Sequence, residues 1–246
     1  MPIDKMMKCR YLFIAILPLL LLSCKKQNNQ PVKTQNKETE VSVEENLTTP
    51  AASKFSNVVI LGNSITYTGP YAPLGWYGNW GMAASAEDKD YVHILKKCLQ
   101  LRDPNVVVSV KNVQEFELNF SEYNFDVELK SLKDTHPDLV ILRIGENLRA
   151  GIDLNVFEQR YKDLIDYFKA DNPKVMVVGV SGVFKGMADD RMIKYPPYVS
   201  LKTIADDTSN LALGLFENYA VQTHPGDKGM RNIASMIWFK VKTLKQ

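Results

Sequence analysis

Two periodicities alternate along this chain. Apolar runs of strand type occupy Val58 to Leu61, Val106 to Val110, Leu139 to Ile144, Val175 to Val180 and Leu211 to Phe216. Between them, apolar residues return at three- and four-residue steps, the spacing that places side chains on one helix face. Ile94, Leu95, Cys98 and Leu99 do so within Tyr91 to Leu101. Phe157, Tyr161, Leu164, Ile165 and Phe168 do so later, with Asp153 as the expected cap and Pro173 just beyond. A last helical pattern runs from Asp227 to Leu244 through Met230, Ile233, Ala234, Ile237, Trp238 and Val241. Strands apolar on both faces and alternating with helices predict a mostly parallel five-stranded sheet between helical layers, a three-layer α/β/α sandwich. There is no internal repeat. Gly179 to Tyr198, containing Gly182, Gly186, Pro196 and Pro197, reads as a long irregular connection, and such connections are more often functional than idle.

The amino-terminal part follows neither pattern. Lys5, Lys8 and Arg10 precede an apolar stretch from Tyr11 to Leu22, which is shorter than the roughly 20 residues a membrane span needs and suits a signal peptide. It stops at Leu21-Leu22-Ser23-Cys24, which resembles a bacterial lipobox. The resemblance implies cleavage before Cys24, a thioether-linked lipid on its sulfur and an acylated new amino terminus; an uncleaved anchor helix is the alternative. Residues 1–23 are thus expected to be a signal peptide. Residues 24–54 are expected to be the lipidated cysteine and a tether rich in Lys, Gln, Asn, Glu and Thr, too polar to build a core. A flexible chain of that length spans roughly 30 Å. The domain is expected at 55–246. Lys25 is not the aspartate that usually retains lipoproteins in the inner membrane, so the expected location is the cell envelope, lipid-anchored at the outer membrane.

Charge and cysteines narrow the classes. The chain has 30 basic and 28 acidic residues; without the three basic residues and Asp4 of the signal, 27 face 27. A neutral mature chain gives no electrostatic case for nucleic acid. Of the three cysteines, Cys9 leaves with the signal and Cys24 carries lipid, so Cys98 cannot pair internally and reads as a buried structural thiol. One cysteine and three scattered histidines assemble no metal site, and no cofactor is implied.

Candidate chemistry sits where strands end. Val58-Val59-Ile60-Leu61 runs into Gly62-Asn63-Ser64, presenting a hydroxyl past the C-terminal end of a buried strand, the usual place for a site in an open α/β sheet. That serine is either a nucleophile or a polar turn capping the next helix. After the third strand comes Gly145-Glu146-Asn147, whose amide can face the same crevice or simply close a turn. Near the end, Thr223-His224-Pro225-Gly226 holds an imidazole in a loop fixed by proline and glycine. His93 lies within a helix pattern, and His136 lies at the opposite end of a strand; both read as structural.

These blocks, in this order, resemble the SGNH (GDSL-like) hydrolase superfamily, with its Gly-Asp-Ser, Gly-x-Asn and His-Pro segments. The resemblance implies the SGNH version of the sandwich, with Ser64 as nucleophile, His224 as general base, and the Ser64 N–H and Asn147 side chain as oxyanion donors. The run Gly75 to Ser85 also looks like a segment of bacterial members. Its Trp76, Tyr77 and Trp80 form either an aromatic wall for a sugar ring or the packing of a long loop. The implied activity is a serine esterase removing O-acyl groups, acetyl above all, from carbohydrate or another envelope-accessible ester. The alternatives are a lipid or thioester acylhydrolase and an inactive carbohydrate-binding lipoprotein.

Three positions depart from the family pattern. Asn63 replaces its aspartate. Lys111 to Glu117 lacks the glycine whose N–H normally joins the oxyanion hole. Val221 stands where an aspartate three residues before the histidine would orient the ring. Asp227 is expected to cap the terminal helix, which leaves His224 to a backbone carbonyl, as a Ser–His dyad, or to an acid from another loop.

Overall fold

A computed structural model describes residues 43–245; the signal segment, Cys24 and the tether up to residue 42 lie outside the described residues. Five parallel strands, β1 (Asn57–Gly62), β2 (Val107–Asn112), β3 (Leu139–Arg143), β4 (Met176–Val180) and β5 (Tyr198–Val199), form one sheet in the order β2-β1-β3-β4-β5. After β1 the α-helices are α1 (Tyr91–Gln100), α2 (Gln114–Asn119), α3 (Phe125–Glu128), α4 (Lys130–Lys133), α5 (Leu154–Lys169), α6 (Asp189–Met192), α7 (Tyr219–Gln222) and α8 (Asp227–Val241).

Successive strand residues point to opposite faces, and here both faces are covered. Val58, Ile60, Ile141 and Val178 pack with α1 and α8; Val59, Leu61, Val140 and Leu142 pack with α2 and α5. This is the α/β/α sandwich, with an entirely parallel sheet. Asp153 caps α5 as expected, accepting from the Asn155 and Val156 N–H groups, and its five predicted apolar positions are all buried.

Two expectations change. Leu211 to Phe216 is not a strand. Gly214 sits at φ +77°, the Leu215 N–H turns back to the Ala212 carbonyl, and Leu213 and Leu215 are exposed, so the run alternates around a tight loop. The fifth strand is Tyr198–Val199, starting at the last residue of the stretch read as irregular: two residues beside Pro196-Pro197 are too short for any periodicity. The tether also ends earlier than residue 54. Residues 43–48 are helical, Leu47, Ala51 and Phe55 are buried in the α1/α8 core, and Asn46 Nδ2 donates to the Ser235 carbonyl (2.7 Å) and Oγ (2.9 Å). Composition hid this because its few apolar residues are spaced for a single contact line.

Candidate active site

The turn after β1 is built around two residues. Gly62 has no room for a side chain: a Cβ there would strike the Thr66 side chain and come within 2.8 Å of the Arg143 carbonyl. Asn63 then folds the turn, its carbonyl accepting from the Thr66 (2.9 Å) and Tyr67 (3.1 Å) N–H groups. No helix begins at Ser64, so its hydroxyl caps nothing. The Met82 N–H and the Thr68 hydroxyl both donate to the Ser64 carbonyl, fixing its backbone. The Ser64 N–H is left without a protein acceptor among the described residues.

Ser64 Oγ lies 2.9 Å from His224 Nε2, across 160 residues of sequence. The other ring nitrogen, Nδ1, lies 2.8 Å from the Ala220 carbonyl oxygen. A carbonyl only accepts, so Nδ1 carries the hydrogen and Nε2 is free to accept from the serine hydroxyl. α7 supplies this carbonyl: Asn218 caps it through the Ala220 N–H, and one turn later His224 reaches back. Burial pulls the His224 pKa below its ordinary 6.5, partly countered by the Ala220 carbonyl and Glu146. The ring is therefore neutral at neutral pH. Val221, at the family's acid position, is fully buried with Trp76, Met82, Ala83 and Ala212.

Sequence reasoning missed the polar core beneath this pair. Asn63 Oδ1 accepts from Arg143 Nη1 (2.9 Å), while its Nδ2 donates to Glu117 Oε2 (3.1 Å) and Glu146 Oε2 (2.6 Å). Arg143, with no exposed surface, also pairs with Glu146, which accepts from the Val183 N–H at 2.9 Å. Two carboxylates facing one side chain explain why position 63 is an amide; an aspartate would add a third negative charge. Glu117 accepts from the Gly145 N–H and from Asn147 Nδ2 (2.7 Å). Its pKa is raised, first by burial and then by Glu146. The signal was a lone arginine in a run otherwise apolar on both faces: a charge there must be paired.

Asn147 therefore lies with Asn63 around Glu117, one amide hydrogen committed to that carboxylate. The aromatic segment divides. Trp76 is buried, donates to the Thr68 carbonyl at 3.0 Å and meets Trp80 edge-on at 5.8 Å, so it packs the loop. Trp80 is half-buried, bonded to the Ala84 carbonyl, and only Tyr77 is open, at 75% exposure. Asp227 does not cap α8. Gly226 holds the cap position, and Asp227 instead accepts from the Ser85 N–H (2.8 Å) and hydroxyl (2.7 Å), tying the aromatic loop to the helix that follows His224. His93, on α1, is bonded to Asp90, the residue that caps that helix.

The α/β/α fold of this chain is shared with solved esterase structures. Two crystal structures of a two-domain esterase active on acetylated mannans are similar to this chain. The one co-crystallised with mannopentaose is 19% identical, with a TM-score of 0.50, over 82% of this chain and 52% of that one. The other is 18% identical, with a TM-score of 0.50, over 84% and 53%. The chain thus spans about half the length of those proteins. A protein assigned to the G-D-S-L lipolytic family of Desulfitobacterium hafniense DCB-2 is 14% identical over 75% of this chain and 99% of its own, with a TM-score of 0.43. No protein-family model and no curated protein matches the chain.

Proposed function

We propose that the chain is a serine esterase that removes acyl groups, acetyl first among them, from hydroxyls of a carbohydrate, and that it is held at the bacterial cell envelope by a lipid on Cys24. The observation that carries the reading is the 2.9 Å contact between Ser64 Oγ and His224 Nε2, with Nδ1 already engaged by a carbonyl. Ser64 Oγ bonds to the ester carbonyl carbon as its proton passes to Nε2. The Ser64 N–H and the free hydrogen of Asn147 Nδ2 hold the tetrahedral oxyanion. Collapse breaks the bond to the alcohol oxygen, which takes the proton from Nε2 and leaves. Water, deprotonated by Nε2, then attacks the acyl-serine; the bond from the acyl carbon to Ser64 Oγ breaks, Oγ takes the proton back from Nε2, and the carboxylic acid is released. The Ala220 carbonyl keeps the ring in the right tautomer but adds no full charge opposite the imidazolium, so turnover below that of a complete triad is expected. The acetylated-mannan esterases that share the fold support an O-acetylated polysaccharide as substrate.

p-Nitrophenyl acetate hydrolysis tests the reading. Ser64→Ala and His224→Ala should both reduce kcat/KM to near background. Equal rates for wild type and Ser64→Ala would sink it and leave the carbohydrate-binding lipoprotein. The base must be neutral, and neutral histidine predominates above its pKa. Because that pKa is lowered, the acid-side fall in kcat/KM should have its midpoint below pH 6.5, and a midpoint above it would mean another group is titrating.

A further inference from the structure

The segment after β2 contains no glycine, and its first backbone donors are engaged elsewhere. The Val113 N–H donates to the Gly62 carbonyl (2.6 Å) and the Gln114 N–H to Asn112 Oδ1 (2.8 Å). What this segment delivers to the site is an acceptor, Glu117, from α2, with no exposed surface. Its partners are Asn63 Nδ2, the Gly145 N–H, the Asn147 N–H and Asn147 Nδ2. All are donors, and all belong to the two turns that flank the proposed oxyanion position.

The two edges of a primary amide are opposite in chemistry: the nitrogen donates, the oxygen accepts. Both oxygens of Glu117 accept from the donors around them, and the edge of Asn147 turned toward them is the nitrogen, at 2.7 Å. That nitrogen carries two hydrogens. With one on Glu117 Oε2, the second remains for an oxyanion. A neutral amide in place of Glu117 bonds either edge of Asn147 equally well, and the flipped side chain turns a lone pair toward developing negative charge. Gly145, at φ +126°, lets the backbone reach the same carboxylate, so the turn and its side chain are fixed by one group.

We infer that Glu117 is the positioning residue of the oxyanion hole, its buried carboxylate fixing which edge of Asn147 faces the reacting carbonyl. The inference rests on the esterase reading for the identity of that carbonyl and extends it to a residue outside the Ser–His pair. In this chain an acidic residue from the second block thus orients a donor, where the family pattern has a glycine donating directly.

The purified protein and its variants are compared with p-nitrophenyl acetate. Glu117→Gln should lower kcat by about 10²–10³, the size of losing one oxyanion donor, with KM nearly unchanged. Asn147→Ala should lose as much, and adding Glu117→Gln to it should cost nothing further; multiplying losses would overturn the inference. Proton–nitrogen NMR reads the same point without turnover. The Asn147 side-chain amide, identified by its disappearance in Asn147→Ala, should have one proton shifted far downfield in wild type, and that shift should collapse in Glu117→Gln. An unchanged pair of protons overturns the inference even if catalysis suffers. Glu117→Asp, which keeps the acceptor, should retain the downfield proton and part of kcat, and provides the comparison if the glutamine variant does not fold. A downfield proton in a protein without Ser64-dependent hydrolysis would leave the positioning intact and remove the esterase reading instead.

Discussion

At the scale of single residues, the positions that depart from the SGNH pattern are explained by their neighbours. Asn63 is an amide because two glutamates and an arginine surround it, and His224 is oriented by a carbonyl because Val221 is built into an apolar cluster. Restoring the family's acid should therefore fail. Val221→Asp would bury a carboxylate among Trp76, Met82 and Ala212, with Nδ1 of the histidine already engaged. It should lower stability by at least about 2 kcal/mol in urea unfolding and should not raise kcat. A faster enzyme would mean the ring is free to turn. The serine and histidine were legible in the sequence because turn chemistry and strand ends mark them. Glu117 was not, because its role depends on partners 54 residues before and 30 residues after it in the chain.

At the scale of elements, legibility followed length. Helices α5 and α8 and the four longer strands have enough residues to express a period, whereas β5 has two. The apolar run at 211–216 misled because it serves another purpose. Its Ala212 and Phe216 join the cluster that backs the aromatic loop, and its Leu211 bridges to Pro225 beside the histidine. Close approach of this loop to α8 explains a glycine inside a helix. A Cβ at Gly229 would collide with the backbone of Asn210. Ala normally gains about 1 kcal/mol over Gly in a helix interior. Gly229→Ala should do the reverse here, lowering the thermal midpoint by several degrees; a rise would show that the loop gives way freely.

At the scale of the whole molecule, the sandwich was readable from the alternation of its elements, and the domain boundary was not. The segment at 43–54 looked like tether because a single line of Leu47, Ala51 and Phe55 gives too little pattern to separate from a polar background. Among the described residues no helix is long and apolar enough to cross a membrane. The proposed attachment is through Cys24, which lies outside those residues. Cys24→Ala should release the protein into the soluble fraction of lysed cells; retention with the membranes would refute the lipid anchor.

The packing of that early segment sets an order in time. Asn46 bonds to Ser235, the Trp238 indole to the Thr49 carbonyl and the Ala52 N–H to the Lys242 carbonyl, contacts that join residues about 190 positions apart. A ribosome therefore releases the first-made part of the domain long before its partners exist. Until residue 224 has emerged the serine lacks its histidine, and until residue 242 has emerged one helical layer lacks its main helix. The early segment and Ser64 thus wait on the same late stretch of chain, the one for its packing partners and the other for its imidazole.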